Sequence, residues 1–292
     1  MTGAVTRRYR TADGIELVGD DGGDRAAPAV VLLHGGGQTR HSWSGTMQLL
    51  LDRGYRVLNF DARGHGDSGW SAAGAYHLDD RAADLAEVVR DCTAGFALVG
   101  ASLGGATSLH AVASGLAARA VVLVDIVPDP EPAGIARIVN FMRAHAGGFA
   151  TLEDAVDAVA AYNPSRPRPS DPSGLMRNLR TRADGRLYWH WDPLTVSGRH
   201  DRFHDVVRQS AAVVADLTHL PLLLVRGLSS DVVSDAGVAA FRAQIPRLEV
   251  VDIGGAGHMV AGDRNDAFGQ GVIDFLARHL PLKSIDIRLS AN

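Results

Sequence analysis

The chain has 292 residues, of which 46% are hydrophobic and 21% charged, with a net charge of −4. A hydrophobic share this large can bury a full core, which excludes a disordered chain. A slightly acidic chain without basic runs gives no indication of a nucleic-acid or anionic-membrane surface. Because Cys92 is the single cysteine, an internal disulfide and a cysteine-based metal cage are also excluded.

The N-terminal 20 residues contain no apolar run of the kind that a signal peptide needs. No stretch of the sequence approaches the ~18 apolar residues of a membrane span. We therefore expect a cytoplasmic protein with neither a membrane nor a nucleic acid as its partner.

The predicted elements begin with a leading antiparallel hairpin at residues 7–10 and 15–18, joined by a turn at Asp13-Gly14. Short apolar runs rich in β-branched residues then predict strands at 30–33, 56–60, 96–99, 120–124, 222–225 and 248–253. Helix-like stretches alternate with these strands at 41–53, 79–90, 103–118 and 266–279. Since continuous apolar runs fit strands buried on both faces, the alternation predicts an α/β fold with a mostly parallel, doubly wound sheet.

One region interrupts this alternation. Between about residues 127 and 215 we find no strand signal, and amphipathic stretches at 135–144 and 152–162 surround a segment rich in Pro, Arg and Ser. We interpret the region as a helical insertion between two core strands. The predicted organisation is a discontinuous core domain of residues 1–127 and 217–292 with a helical lid of residues 128–216.

A candidate nucleophile lies at the end of the strand predicted at 96–99. Gly100-Ala101-Ser102-Leu103-Gly104 has the pattern Gly-x-Ser-x-Gly and precedes a predicted helix. The pattern alone is weak, but a serine on a sharp strand-to-helix turn exposes its hydroxyl above the sheet, and the flanking glycines avoid clashes. Ser102 is therefore the predicted nucleophile.

A serine nucleophile needs a base, and the base needs an acid that orients it. His258 follows the last predicted strand in a glycine-rich loop at the same sheet edge, and we predict it as the base. Asp231, which follows the strand at 222–225 by a short loop, is the preferred acid. Asp125, at the end of the strand at 120–124, is the main rival, and Asp235 is a weaker one.

Two backbone N–H groups are predicted to hold an oxyanion, because backbone donors are fixed and uncharged. One is the N–H of Leu103, which follows the nucleophile. The other is the N–H of Gly36 in the loop His34-Gly35-Gly36-Gly37-Gln38, after the first buried strand. A phosphate-binding loop is the alternative for these glycines, but the pattern lacks the lysine and the spacing of known phosphate loops.

None of three further histidines predicts a metal site. His65 lies in a glycine-rich segment, where we interpret it as a structural residue that bonds to backbone in a turn. His200 and His204 have i, i+4 spacing but no third ligand, which favours a solvated helix. We predict no metal and no organic cofactor.

These motifs together resemble the α/β-hydrolase superfamily, in the lid-bearing branch that contains esterases, cofactor-free haloperoxidases, C–C bond hydrolases and epoxide hydrolases. His34-Gly35 matches the oxyanion loop, and Asp61-Ala62-Arg63-Gly64-His65-Gly66-Asp67-Ser68 matches the segment Asp-x-Arg-Gly-x-Gly-x-Ser. Relatives that open epoxides use an aspartate nucleophile. The serine at this position therefore argues against that mechanism here.

The resemblance and the candidate triad predict a serine hydrolase that cleaves a carboxylic ester or a related acyl compound with an apolar part. C–C bond hydrolysis or perhydrolysis with the same triad is the alternative, followed by a ligand receptor without catalysis. The sequence does not decide the oligomeric state, and a homo-oligomer is left open. Six residues are candidates for the substrate pocket: Trp43, Phe141, Tyr188, Trp189, Trp191 and Met259.

Overall fold

The strands and helices of the chain were located in a computed structural model, which describes residues 3–164, 168, 170–197, 202–260 and 265–282. The strands are β1 Val5–Arg10, β2 Glu16–Gly22, β3 Ala29–Leu33, β4 Arg56–Phe60, β5 Phe96–Ala101, β6 Ala120–Val124, β7 Leu179–Thr181, β8 Leu187–Trp189, β9 Leu222–Gly227 and β10 Glu249–Ile253. The helices are α1 Ser44–Asp52, α2 Leu78–Val89, α3 Leu103–Ala113, α4 Pro132–Arg143, α5 Leu152–Tyr162, α6 Phe203–Asp216, α7 Asp235–Gln244 and α8 Asn265–His279. Short 3-10 helices lie at Arg40–Trp43, Pro172–Asn178 and Pro193–Val196.

Eight of the strands form one sheet in the order β1-β2-β4-β3-β5-β6-β9-β10. The β1–β2 hairpin is antiparallel, and β2 pairs with β4 in antiparallel orientation. The other five neighbouring pairs in this sheet, from β4–β3 to β9–β10, are parallel. The prediction of a mostly parallel α/β sheet with a leading hairpin is confirmed. Because parallel strands end at the same edge, the loops after β3, β5, β6, β9 and β10 meet there.

Apolar layers cover both faces of this sheet, as the continuous apolar runs predicted. In β3, Val31 and Leu33 pack into the cluster that also contains buried side chains of α2, α3, α6 and α7. Val30 and Leu32 point to the opposite face, where α1 and α8 cover them. Each such fully buried aliphatic side chain stabilises the fold by roughly 1.5–3 kcal/mol, which holds the functional loops on a rigid base.

Residues 128–216 connect β6 to β9, two strands that lie side by side in the sheet. The prediction that this region contains no strand was wrong, since β7 and β8 form a small antiparallel sheet. These strands have three residues each, too few for a clear alternation of apolar and polar residues. A separate apolar cluster holds this part together, with Met142, Phe149, Ala155, Leu179, Trp189 and Trp191 buried in it.

The last helix of the insertion packs differently from the rest. Val207, Ala211 and Val214 of α6 lie in the core cluster beside α3, and the hydroxyl of Ser210 in α6 bonds His110 in α3 at 3.0 Å. By its contacts, α6 therefore belongs to the helical layer of the core. Within the described residues, no helix has both the length and the apolar composition that crossing a membrane requires.

Helix ends and one missed helix account for most remaining differences from the predicted elements. The helix predicted at 103–118 ends at Ala113, because Gly115 adopts a left-handed φ of 102° that stops it. The helix predicted at 41–53 begins as the 3-10 turn Arg40–Trp43. Helix α7 was not predicted, although Ser234 caps it by accepting a hydrogen bond from the N–H of Gly237.

Candidate active site

Ser102 lies on the sharp turn between β5 and α3. Its backbone has φ 47° and ψ −110°, a combination that a non-glycine residue adopts only at a cost of about 1–3 kcal/mol. Its N–H donates to the carbonyl oxygen of Val124 in the neighbouring strand at 3.0 Å, which fixes the turn against β6. The strained backbone and this bond hold the serine at the carboxyl edge of the sheet.

The glycines on both sides of the turn allow α3 to begin close to the sheet. A Cβ atom at Gly100 would lie 2.4 Å from the carbonyl oxygen of Gly104, and one at Gly104 would lie 2.3 Å from that of Leu33. Both distances are far below van der Waals contact and involve backbone atoms that have no room to move. The Gly-x-Ser-x-Gly pattern therefore has a steric origin here, as the sequence predicted.

His258 lies in the loop after β10, and its ring faces the carboxylate of Asp125. The distance from Nδ1 of His258 to Oδ2 of Asp125 is 2.7 Å, and the Asp125 side chain is fully buried. Asp125 directly follows β6, and its backbone φ is 50°. The hydrogen bond assigns the proton to Nδ1, which leaves Nε2 of His258 as the acceptor.

Two further donors surround the Asp125 carboxylate. The N–H of Gly227 donates to Oδ1 at 3.1 Å, and the hydroxyl of Ser230 donates to Oδ2 at 2.5 Å. The hydroxyl oxygen of Ser230 also accepts the N–H groups of Val232 and Val233. These hydrogen bonds fix the direction of the Asp125 carboxylate, with one of its oxygens towards His258.

The structure does not support Asp231 as the acid, so that prediction was wrong in its choice between the candidates. Asp231 points to the surface, where its carboxylate pairs with Nε of Arg137 at 2.9 Å. The Asp231 side chain is 38% exposed. Asp235, the weaker candidate, pairs with Arg226 and is 94% exposed. Asp125 was the rival in the sequence, and the structure places it at His258.

The two predicted oxyanion donors lie next to the same cavity as Ser102. Leu103 is the first residue of α3, and the first N–H groups of a helix have no partner within it. At Gly36, no residue that the structure describes accepts the backbone N–H. The surrounding loop is a turn in which the N–H of Gln38 donates to the Gly35 carbonyl at 3.1 Å. Both N–H groups are thus available to a negatively charged oxygen.

A cavity of about 840 Å³ lies above Ser102, between the sheet edge and the insertion. Both Ser102 and His258 line it, together with Asp125. Five of the six predicted pocket residues also line it: Trp43, Phe141, Trp189, Trp191 and Met259. A volume in this range suits a small organic substrate.

Tyr188 is not among the described residues that line the cavity, in contrast to the prediction. Its hydroxyl donates to Asp184 at 2.7 Å, and the guanidinium of Arg182 lies 3.9 Å from its ring centroid. The reason is the alternation of side chains along a strand. In β8, Trp189 points towards the cavity, and its neighbour Tyr188 therefore points away from it.

One set of cavity residues was missed in the sequence although its signal was present. Helix α4 presents Ile135, Ile138, Val139 and Met142 to the cavity. Their spacing is i, i+3, i+4, i+7, the apolar stripe of an amphipathic helix. The sequence had shown that 135–144 is amphipathic, but not what its apolar face would contact.

Charged groups in the cavity wall are mainly arginines. The guanidinium of Arg81 is buried, and burial lowers its pKa to about 10. Arg143 and Arg177 also line the cavity, and neither forms an ion pair with an acidic side chain among the described residues. Burial, and then the positive charges of Arg40 and Arg177, lower the pKa of His41 in the same wall. The cavity wall is therefore largely apolar and contains several arginines.

The part of the chain that the structure describes contains no group of three or more His, Cys, Asp or Glu side chains arranged to hold a metal ion. His204 lines the cavity, while His200 lies outside the described residues. Burial and the nearby positive charge of Arg208 lower the pKa of His204.

Comparison with known proteins agrees with this architecture. Esterase Rv0045c from Mycobacterium tuberculosis is 30% identical over 265 residues, which cover 85% of this chain and 84% of that protein. The 2-(acetamidomethylene)succinate hydrolase of Mesorhizobium japonicum is 31% identical over 242 residues, or 80% of this chain and 83% of that protein. A crystal structure of E-2-(acetamidomethylene)succinate hydrolase is similar with a TM-score of 0.79 and 26% identity, covering 94% of this chain and 99% of that one.

A family model described as the alpha/beta hydrolase fold matches residues 28–264. The match begins just before β3 and ends within the segment after His258. It therefore spans Ser102, Asp125, His258 and the whole insertion. The chain belongs to the α/β-hydrolase family.

Proposed function

We propose that this protein is a serine hydrolase that cleaves a carboxylic ester or a related acyl compound, with Ser102, His258 and Asp125 as its triad. The observation that carries the proposal is the 2.7 Å contact between His258 and the buried Asp125, in the cavity that Ser102 also lines. A histidine oriented in this way is the general base that a serine nucleophile requires. The similarity to an esterase adds support.

In the first half of the reaction, Oγ of Ser102 attacks the substrate carbonyl carbon while Nε2 of His258 takes the hydroxyl proton. The new oxyanion accepts hydrogen bonds from the N–H groups of Gly36 and Leu103. Asp125 stabilises the imidazolium that forms on His258. When the tetrahedral intermediate collapses, the bond to the leaving alcohol breaks, and His258 gives that alcohol its proton.

The second half returns the enzyme to its starting state. His258 takes a proton from a water molecule, and the hydroxide that forms attacks the acyl-enzyme carbonyl. Collapse of this second intermediate releases the carboxylic acid and returns the proton to Ser102. Each atom is accounted for by substrate and water, with no redox step.

Hydrolysis of short and medium p-nitrophenyl esters by the wild type and by Ser102→Ala tests the proposal. We expect turnover by the wild type and a loss of at least about 10³-fold in kcat for the variant. Full activity in Ser102→Ala would contradict the proposal. Vinylogous diketones, and acetate with peroxide, belong in the same panel, because the same triad can serve C–C bond hydrolysis or perhydrolysis. Rapid diketone cleavage without ester turnover would favour the C–C reaction.

A second candidate is hydrolysis of an acyl compound that carries a carboxylate. Arg143 and Arg177 in the cavity wall support it, since guanidinium groups bind carboxylates well. The similarity to a 2-(acetamidomethylene)succinate hydrolase, whose substrate name is that of a dicarboxylate, points in the same direction. We would compare kcat/KM for p-nitrophenyl hemisuccinate and p-nitrophenyl butyrate. A preference for the hemisuccinate that Arg177→Ala removes would support this candidate, while an unchanged ratio would contradict it.

A further inference from the structure

Three buried histidines surround the loop that carries Gly36. Nδ1 of His34 lies 2.8 Å from the Gly35 carbonyl oxygen. The N–H of Gly37 donates to Nε2 of His65 at 3.2 Å. Nε2 of His190 lies 3.3 Å from the Gly37 carbonyl oxygen. Each side chain is 1% exposed or less. The rings also contact one another, with centroids 5.2 Å apart for His34 and His65 and 5.8 Å for His65 and His190.

Each histidine holds a different peptide group, and the three groups are consecutive. His34 bonds the peptide between Gly35 and Gly36, His65 the next one, and His190 the one between Gly37 and Gln38. Since a trans peptide is planar with its C=O and N–H pointing in opposite directions, fixing the Gly35 carbonyl also fixes the direction of the Gly36 N–H. The loop that offers this N–H is therefore fixed on both sides.

Backbone donors determine which ring nitrogen carries the proton in each histidine. The N–H of Ala62 donates to Nε2 of His34 at 2.9 Å, so that Nδ1 carries the proton that bonds Gly35. The N–H of Gly66 donates to Nδ1 of His190 at 2.7 Å, so that Nε2 carries the proton that bonds Gly37. In His65 the acceptor is Nε2, and Nδ1 donates to the Arg63 carbonyl at 3.2 Å. All three roles require a neutral ring.

The surroundings favour these neutral rings. Burial lowers the pKa of His190 to about 4 and that of His65 well below its usual range. Burial is also the main cause that lowers the pKa of His34. The positive charge of buried Arg81 acts in the same direction on His34 and His65. Neutral imidazoles are thus the stable form at the pH at which an ester hydrolase works.

His190 differs from the other two because it comes from the insertion, directly after β8. Its own N–H donates to the Asn178 carbonyl at 3.1 Å. Met142 of α4 packs on the same loop, 3.5–3.6 Å from where Cβ atoms at Gly36 and Gly37 would lie. Two separate elements of the insertion therefore contact the oxyanion loop.

We infer that His190 is a positioning residue for the oxyanion hole, acting through the Gly37 carbonyl, so that the insertion contributes to transition-state stabilisation. The inference rests on the proposed hydrolase function. His190 is not among the described residues that line the cavity, so it acts on the loop and not on the substrate. Its loss should lower kcat and leave KM nearly unchanged, because the oxyanion forms only after binding.

Two variants separate the two hydrogen bonds of His190. In His190→Gln, the amide nitrogen can take the place of Nε2 and still donate to the Gly37 carbonyl. In His190→Asn, the shorter side chain can take the place of Nδ1 and accept from Gly66, but it does not reach Gly37. We expect kcat for a p-nitrophenyl ester to fall about 10- to 100-fold in the Asn variant and less than about 5-fold in the Gln variant.

Asp192→Asn provides a matched control. Asp192 also ties the insertion to the core, because it accepts the Tyr76 hydroxyl at 2.5 Å, but it has no bond to the oxyanion loop. We expect this variant to be less stable and to keep kcat within about 2-fold of the wild type. Equal kcat values in the Gln and Asn variants, or a loss of kcat in Asp192→Asn as large as that in His190→Asn, would overturn the inference.

A measurement without turnover distinguishes failure of this inference from failure of the proposed function. Imidazole ¹⁵N–¹H NMR of the wild type should show a neutral His190 with its proton on Nε2. Hydrogen exchange should show a protected Gln38 N–H, which belongs to the peptide whose carbonyl His190 holds and donates to the Gly35 carbonyl. A proton on Nδ1 of His190, or rapid exchange at Gln38, would overturn the positioning role whether or not the protein hydrolyses esters. The expected NMR pattern in a protein that turns over no ester would contradict the hydrolase proposal alone.

Discussion

His258 and Asp125 are 133 positions apart in the sequence, and their side chains meet at 2.7 Å where the loops after β10 and β6 come together. The contact joins a partly exposed imidazole to a carboxylate with no exposure at all. Gly227 at the end of β9 and Ser230 in the loop after it hold the carboxylate in place. Three adjacent strand ends therefore build one acid–base pair.

Replacement of the acid tests this pair. In Asp125→Asn, the amide can no longer stabilise the imidazolium and favours the wrong tautomer of His258. For a triad of this kind, the change lowers kcat by about 10⁴-fold. Steady-state kinetics on a p-nitrophenyl ester would measure the effect, with circular dichroism to confirm folding.

Asp231→Asn is the matched control, since it makes the same chemical change on the next strand end. Its exposed ion pair with Arg137 contributes roughly 0–1 kcal/mol to stability, and we expect kcat within about 2-fold of the wild type. The reverse result, with Asp231→Asn inactive and Asp125→Asn active, would restore the acid that the sequence favoured.

The pH dependence of stability follows from the buried histidines. The unfolded chain takes up protons on them below about pH 6.5, while folded His190 stays neutral to about pH 4. The free energy of unfolding should therefore fall as the pH drops from 6.5 towards 4, and be fully recovered above 6.5. For His190 alone, the difference corresponds to roughly 3 kcal/mol.

Urea denaturation at pH 7.5, 5.5 and 4.5 would measure how steeply the free energy of unfolding changes with pH in the wild type and in His190→Gln. We expect the variant to have a shallower slope, because it lacks one of the groups that titrates on unfolding. His34, Asp61 and Arg180 also influence His190, so all three stay unchanged in the comparison. Identical slopes would show that His190 is not held neutral in the folded protein.

The steric role of the nucleophile turn predicts the effect of Gly104→Ala. Its new Cβ would lie 2.3 Å from the Leu33 carbonyl oxygen, so α3 has to move away from β3. We expect a loss of about 1–3 kcal/mol or more in the free energy of unfolding. Gly147→Ala is the control, because nothing lies within 4 Å of a Cβ there. Equal stability of the two variants in thermal unfolding would contradict the steric explanation.

The sequence could predict the sheet and the nucleophile turn because both depend on local patterns. Runs such as 120–124 are apolar throughout and rich in β-branched residues, a length and composition typical of strands covered on both faces. No local pattern could decide between Asp125 and Asp231 as the partner of His258. Both follow strands that are neighbours in the sheet, β6 and β9, so position alone brings either carboxylate to the same edge. Side-chain direction decides between them, and it depends on tertiary contacts such as the Arg137 ion pair.

The histidine network shows the same limit more strongly. His65 was expected to bond backbone in its own turn, and it does so at the Arg63 carbonyl. Its second bond joins it to Gly37, which is 28 positions away in the sequence. His190 bonds the same glycine from a distance of 153 positions. No local pattern in the sequence relates these residues, because only the packing of the insertion on the core brings them together.

The most direct test of the central claim is labelling with a fluorophosphonate, followed by mass spectrometry of the intact protein and of its peptides. We predict a single adduct on Ser102 in the wild type, formed slowly in Asp125→Asn and not at all in Ser102→Ala. An adduct on another residue, or unchanged labelling in Ser102→Ala, would contradict the assignment of Ser102 as the nucleophile.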